Sequence, residues 1–95
     1  MHALLFLAAL GLVALVVIQS VQQGRRMIRA ATFLTEIEAG RSAEQANAAA
    51  ALLFTAQSSN SANGWAAKAA EERRQQMGGN RGRVIRAARE RGFTG

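Results

Sequence analysis

Residues 3–18 form a run of sixteen positions without a polar side chain, and eleven of them are Leu, Ile, Val or Phe. No other feature constrains a chain of 95 residues so strongly, because a helix that is apolar on every side has to be surrounded by something apolar. As a helix the run covers about 24 Å and residues 1–21 about 31 Å, close to a hydrocarbon thickness of about 30 Å. At about −0.3 to −0.6 kcal/mol each, the large side chains contribute on the order of −5 kcal/mol toward insertion, with no charge in the run to oppose them. Gln19, Ser20, Gln22 and Gln23 follow at the level of a membrane interface, and Gly24 opens a cluster of Arg25, Arg26 and Arg29.

Three other readings of the run compete with a transmembrane anchor over residues 1–23. A buried helix of a soluble protein needs a core around it, and residues 24–95 hold only thirteen large apolar side chains among many alanines. A cleaved signal sequence needs a basic start and a small-residue cleavage site, but only His2 precedes the run and no Ala-x-Ala closes it. A helix lying flat on a bilayer needs a polar face, which the run lacks. The anchor reading also carries an orientation. Three arginines follow the span within about eight residues and no Lys or Arg precedes it, so the positive-inside rule places the N-terminus outside and the remainder in the cytoplasm or a virion interior.

The remainder is expected to be all-α. No proline interrupts it, which removes the strongest helix breaker. Residues 24–57 divide into an amphipathic helix and an alanine-rich one. On the first, Met27, Ala30, Ala31, Phe33, Leu34 and Ile37 share a face suited either to a bilayer surface or to a partner helix. Gly40 reads as its C-terminal stop, and Ser42 with Gln45 three residues on reads as the capping box of the next helix, expected over residues 43–57. There Ala46, Ala50 and Leu53 form a stripe too narrow to fold alone. Residues 58–64, Ser-Ser-Asn-Ser-Ala-Asn-Gly, read as a linker. A helix over residues 65–77 follows, with a thin strip of Ala66, Ala69, Ala70 and Met77, and Gly78-Gly79-Asn80 stops it. The expected whole is one transmembrane helix and three or four short amphipathic or basic helices, with no autonomous globular core.

Net charge is +6, with twelve Lys and Arg against six carboxylates, and it favours anionic partners. The basic C-terminal region, residues 65–95, ends in Arg81, Arg83, Arg86, Arg89 and Arg91, opposed locally only by Glu90. Drawn as a helix, this tail sets Val84, Ala87 and Ala88 opposite Arg86 and Arg89. Anionic lipid and nucleic-acid phosphate both suit it. Trp65 and Phe93 are the candidate interface anchors. One internal echo joins the two basic regions: Gly24-Arg-Arg-Met-Ile-Arg-Ala-Ala31 against Gly82-Arg-Val-Ile-Arg-Ala-Ala88, with one gap.

Nothing in the sequence points to catalysis, a cofactor or a small-molecule substrate. There is no cysteine, and the single His2 cannot by itself form a metal site or a nucleophile–base pair. Glu36 and Glu38, two residues apart on a helix, point to different sides. Gly78-Gly79 lacks the lysine and Ser/Thr of a phosphate loop. The sequence therefore implies a small membrane-anchored protein that works beside other protein subunits and meets an anionic partner through Arg25, Arg26, Arg29, Arg81, Arg83, Arg86, Arg89 and Arg91. A phage- or virus-type protein whose arginine tail meets nucleic acid is the alternative, and a membrane-permeabilising lysis protein a more distant one.

Overall fold

The computed structural model describes the backbone of residues 2–95 and the side chains of residues 4–95. It is all helical, with α1 His2–Glu38, α2 Ala43–Ala51, α3 Asn60–Gln76 and α4 Arg81–Glu90. The apolar run and the amphipathic segment after it make one continuous helix of 37 residues, about 55 Å long, in a molecule 59 Å along its longest axis. Gly24 lies inside α1 without interrupting it. The molecule is thus a rod whose distal half carries a small bundle.

The core sits entirely on that distal half. Met27, Ala30, Ala31, Phe33 and Leu34 of α1 are buried, as their shared helical face requires, together with Ala46, Ala50, Leu53, Ala70, Val84, Ile85, Ala88 and Phe93. Ile28, Ile37, Met77 and Ala87 pack half-buried at its edge. The amphipathic face of residues 27–37 therefore meets this chain's own helices. α2, α3 and α4 all pack on α1, and six of the thirteen buried residues are alanine. This core is thin, and α1 supplies five of its thirteen buried residues.

Glycine ends three of the four helices in one way. At Gly40 (φ 90°) the N–H of Arg41 donates to the Glu36 carbonyl and that of Gly40 to Ile37. Gly78 and Gly92 repeat the pattern after α3 and α4. Each is the Schellman arrangement, in which a left-handed residue turns two otherwise orphaned carbonyls back onto N–H donors. After α4 it swings Phe93 inward, 5.6 Å from the Phe33 ring centroid. The expected capping box is present at α2, with Ser42 and Gln45 bonded reciprocally.

Three expectations are corrected. The linker over residues 58–64 is shorter, because Ser59 caps α3 by accepting from the Ala62 N–H, and Asn60 to Gly64 are helical. α2 stops at Ala51 rather than 57. Phe54 takes φ 59° there, a left-handed conformation costing about 1–2 kcal/mol for a residue with a side chain. It is held by the Asn63 side-chain oxygen, which accepts from the Phe54 N–H, and by Arg29, which donates to the Leu53 carbonyl at 3.1 Å. Phe93 is no interface anchor: it is 6 % exposed in the core. Val84 and Ile85 are likewise buried against α1, so the apolar side of the basic tail is already occupied.

α4 runs beside α1 in the same direction. Its first residue, Arg81, reaches the Ser20 carbonyl at 3.4 Å, and the chain beyond its last turn meets Phe33. The two halves of the sequence echo are therefore neighbours, presenting Met27, Ala30 and Ala31 on one side and Val84, Ile85 and Ala88 on the other to a common core.

Phe33 has no exposed surface, so Phe33→Ala should cost about 3–5 kcal/mol. Full-length protein carrying it should show α4 released, read as faster tryptic cleavage at Arg81 to Arg91. Leu52→Ala, at a side chain 51 % exposed, should leave the cleavage rate unchanged.

Candidate anion-binding surface

The eight arginines named from the sequence do not form one equivalent set. Arg25 and Arg29 stand one turn apart on α1, so both reach the Phe54 ring, with guanidinium carbons 5.1 Å and 5.7 Å from its centroid. Arg29 is half-buried, and its Nε is enclosed without a hydrogen-bond partner. Its work is structural: it closes the turn after α2, with cation–π attraction added to the hydrogen bond. Arg81 lies across α1 at Gly24, its guanidinium 3.7 Å from where a Cβ would stand, an ordinary contact distance. Arg83 reaches the Met77 carbonyl at 3.5 Å.

Arg26, Arg86, Arg89 and Arg91 are exposed, and among the described residues none of them forms an ion pair. Three of the four meet. An open cleft of about 300 Å³ between α1 and α4 is lined by Gln23, Arg26, Gly82, Ile85, Arg86 and Arg89. No carboxylate lines it. The arrangement follows from helical spacing: Gln23 and Arg26 are three apart on α1, and Gly82, Arg86 and Arg89 are four and three apart on α4. The parallel packing of the two helices turns both rows toward each other. A second groove, along Val16, Gln19, Ser20 and Gln22, shares Gln23 and Arg26 with this cleft and leads from it onto the apolar half of α1.

The ion pairs lie elsewhere. Arg73 holds Glu38 at 2.7 Å, fastening α3 to the end of α1, and Arg41 pairs with Glu36. Within α3, Arg74 pairs with Glu71. The hydrogen bond from Arg73 holds the Glu38 carboxyl below its ordinary value, and the charges of Arg73 and Arg91 act the same way. Glu71 is lowered chiefly by its hydrogen bond from Arg74. Trp65 is 70 % exposed, beside a groove floored by Ala31, Ala66, Ala69 and Ala70, with the Lys68 ammonium 5.6 Å from its ring centroid. Among the described residues no group of three or more His, Asp or Glu side chains comes together.

Sequence reasoning named the cleft arginines but did not separate them from Arg25 and Arg29. One signal was available: Phe54 lies in a segment without glycine, where a turn demands extra support and a nearby arginine supplies it. Comparison with known protein families, curated proteins and solved structures finds no match for this chain.

Arg29→Met should destabilise the bundle by about 1–3 kcal/mol by leaving the Leu53 carbonyl unpaired. Arg26→Met should be near-silent, the two being compared by hydrogen exchange of the α2 amides in the full chain. The Glu38 shift sets a pH dependence as well. A lowered folded pKa contributes stability that is complete above the ordinary value of 4.5 and lost as pH falls through the folded value. The docking of α3 should therefore loosen as pH falls below the ordinary value of 4.5. Glu38→Gln should loosen it at neutral pH and flatten that acid response, both read by α3 amide exchange.

Proposed function

We propose that this chain is a non-enzymatic single-pass membrane protein, an accessory or structural subunit of a larger membrane-embedded assembly. Its basic helices meet an anionic partner on the cytoplasmic side of the bilayer. The observation that carries the proposal is the bare half of α1. Twelve large apolar side chains stand exposed there, from Leu4 at 72 % to Val21 at 49 %, and the most apolar stretch of the helix has nothing buried in this chain. They leave on the order of 1,000 Å² of apolar surface in contact with solvent, worth roughly 25 kcal/mol if removed from water. A soluble monomer rarely exposes a contiguous patch of more than a few hundred Å². The length and composition of α1 suit a bilayer crossing. The bundle begins at Met27, within about two turns of the last exposed apolar residue, Val21.

Two further features support the subunit role. The core is thin and alanine-rich, so the fold gains by being held. Trp65 stands exposed beside an alanine-floored groove, and a large, rigid aromatic of this kind is enriched in protein–protein contacts. The orientation rests on the arginines that follow the apolar half.

Full-length protein should remain in the membrane fraction after alkaline carbonate extraction, at the intact mass of all 95 residues. Release by carbonate would overturn the anchor, and a mass short by the apolar run would mark that run as a cleaved signal. The chain has no cysteine, and Ser61 is exposed on α3, so Ser61→Cys gives a single reporter. It should resist a membrane-impermeant maleimide in intact cells and react after permeabilisation; labelling of intact cells would reverse the orientation. Extracted in mild detergent from the cells that make it, the chain should migrate with other proteins. A lone monomer would remove the subunit role.

A further inference from the structure

The cleft between α1 and α4 carries three guanidinium groups, Arg26, Arg86 and Arg89, one side-chain amide, Gln23, and no carboxylate. Like charges gathered at one opening repel, and the chain brings no counter-charge of its own to the lining. The carboxylates that neutralise arginines in this bundle, Glu36, Glu38 and Glu71, pair with Arg41, Arg73 and Arg74 instead. The position of the cleft is as telling as its charge. Gln23 and Arg26 lie about half a turn and about one and a half turns past Val21, the last of the exposed apolar residues of α1. Arg81, at the head of α4, touches the Ser20 carbonyl, so the N-terminal end of α4 points toward the apolar half. The adjoining groove runs back along Gln19 and Val16 onto that half.

We propose that this cleft binds the headgroup of an anionic phospholipid bearing more than one negative charge, with an acyl chain lying along Val16. The inference rests on the membrane-anchored reading above and names one ligand class for its basic surface. Guanidinium suits the task because its planar fork donates two hydrogen bonds at once to phosphate oxygens. Three such forks around one opening match a phosphomonoester, or two phosphodiesters in one headgroup, better than a single diester. Gly82, four residues before Arg86 on α4, adds no side chain to that lining. Nucleic acid fits less well, because the groove that continues the cleft runs onto the apolar half of α1 at Val16, where a polar strand finds no further cationic partner.

The full chain, purified in mild detergent, is titrated with dioleoyl phosphatidic acid, cardiolipin or phosphatidylglycerol, and bound lipid is counted by native mass spectrometry. Phosphatidic acid and cardiolipin should each bind at least about tenfold more tightly than phosphatidylglycerol, beyond what their net charge gives. Arg86→Gln with Arg89→Gln should abolish that preference. Arg41→Gln with Lys68→Gln removes the same net charge at sites remote from the cleft and should keep it. Equal loss in the two double variants would reduce the effect to diffuse charge and overturn the site. Glycerol phosphate or a short DNA duplex displacing the lipid at equal phosphate concentration would overturn the lipid assignment. Carbonate extraction of each protein separates the two readings: a variant that stays in the membrane while losing lipid preference tests the cleft alone, whereas release of the unaltered chain would defeat the anchor itself.

Discussion

α1 has to satisfy two solvents with one uninterrupted hydrogen-bonded rod. Its first half exposes apolar side chains all round, while its second half presents a single apolar face, from Met27 to Leu34, to the rest of the chain. Because the helix does not break at Gly24, the bundle cannot swing freely from the apolar half. Every group fixed to the distal half is held at a set distance from the point where the surface changes character. The three short helices inherit their positions from this one element, since all of them pack on it.

That dependence explains why so small a core suffices. Alanine buries little area, but it lets helix axes approach closely, and Ala30, Ala31, Ala46, Ala50, Ala70 and Ala88 line the contacts. The few large side chains, Phe33 and Phe93 above all, fill the space at the far end where the segment after α4 meets α2. There the Asn47 amide donates to the Gly92 carbonyl and accepts from the Thr94 N–H. This ties α2 to the segment after α4 in the absence of apolar contact between those helices. A short helix that cannot nucleate on its own is thus held by one face and one polar clasp.

Much of this was legible in the residues. The stops at Gly40 and Gly78 and the capping box at Ser42 and Gln45 are local chemistry, set within four or five positions of the chain. The buried face of α1 and the stripe of Ala46, Ala50 and Leu53 followed from helical period alone. What could not be read was anything decided by a distant partner. The end of α2 depends on Arg29 capturing a carbonyl 24 residues away. The serine- and asparagine-rich segment reads as a linker by composition, yet Ser59 and Asn63 spend their side chains on a cap and on the Phe54 N–H. The apolar side of the arginine tail looked available for a membrane because periodicity shows that a face exists, without showing what covers it. Here α1 covers it, so substitutions at Val84 or Ile85 would disturb the fold before they reported on any ligand.

The same packing sorts the arginines in a way that charge counting cannot. A guanidinium already stacked on Phe54, as at Arg25 and Arg29, has part of its donor capacity committed and its position fixed. One that projects from the seam of two parallel helices keeps its donors free and its neighbours positive. The sequence echo supplies the seam. Gly24 and Gly82 head two segments of matching pattern, and their parallel alignment brings corresponding apolar positions into one core. Of their arginines, Arg26 and Arg86 face a common opening, and Gln23 and Arg89, just outside the two segments, complete a two-walled basic cleft. One copy, with a single wall, would be only a charged helix face. The attachment of the first copy to the apolar half of α1 fixes where along the rod that cleft must lie.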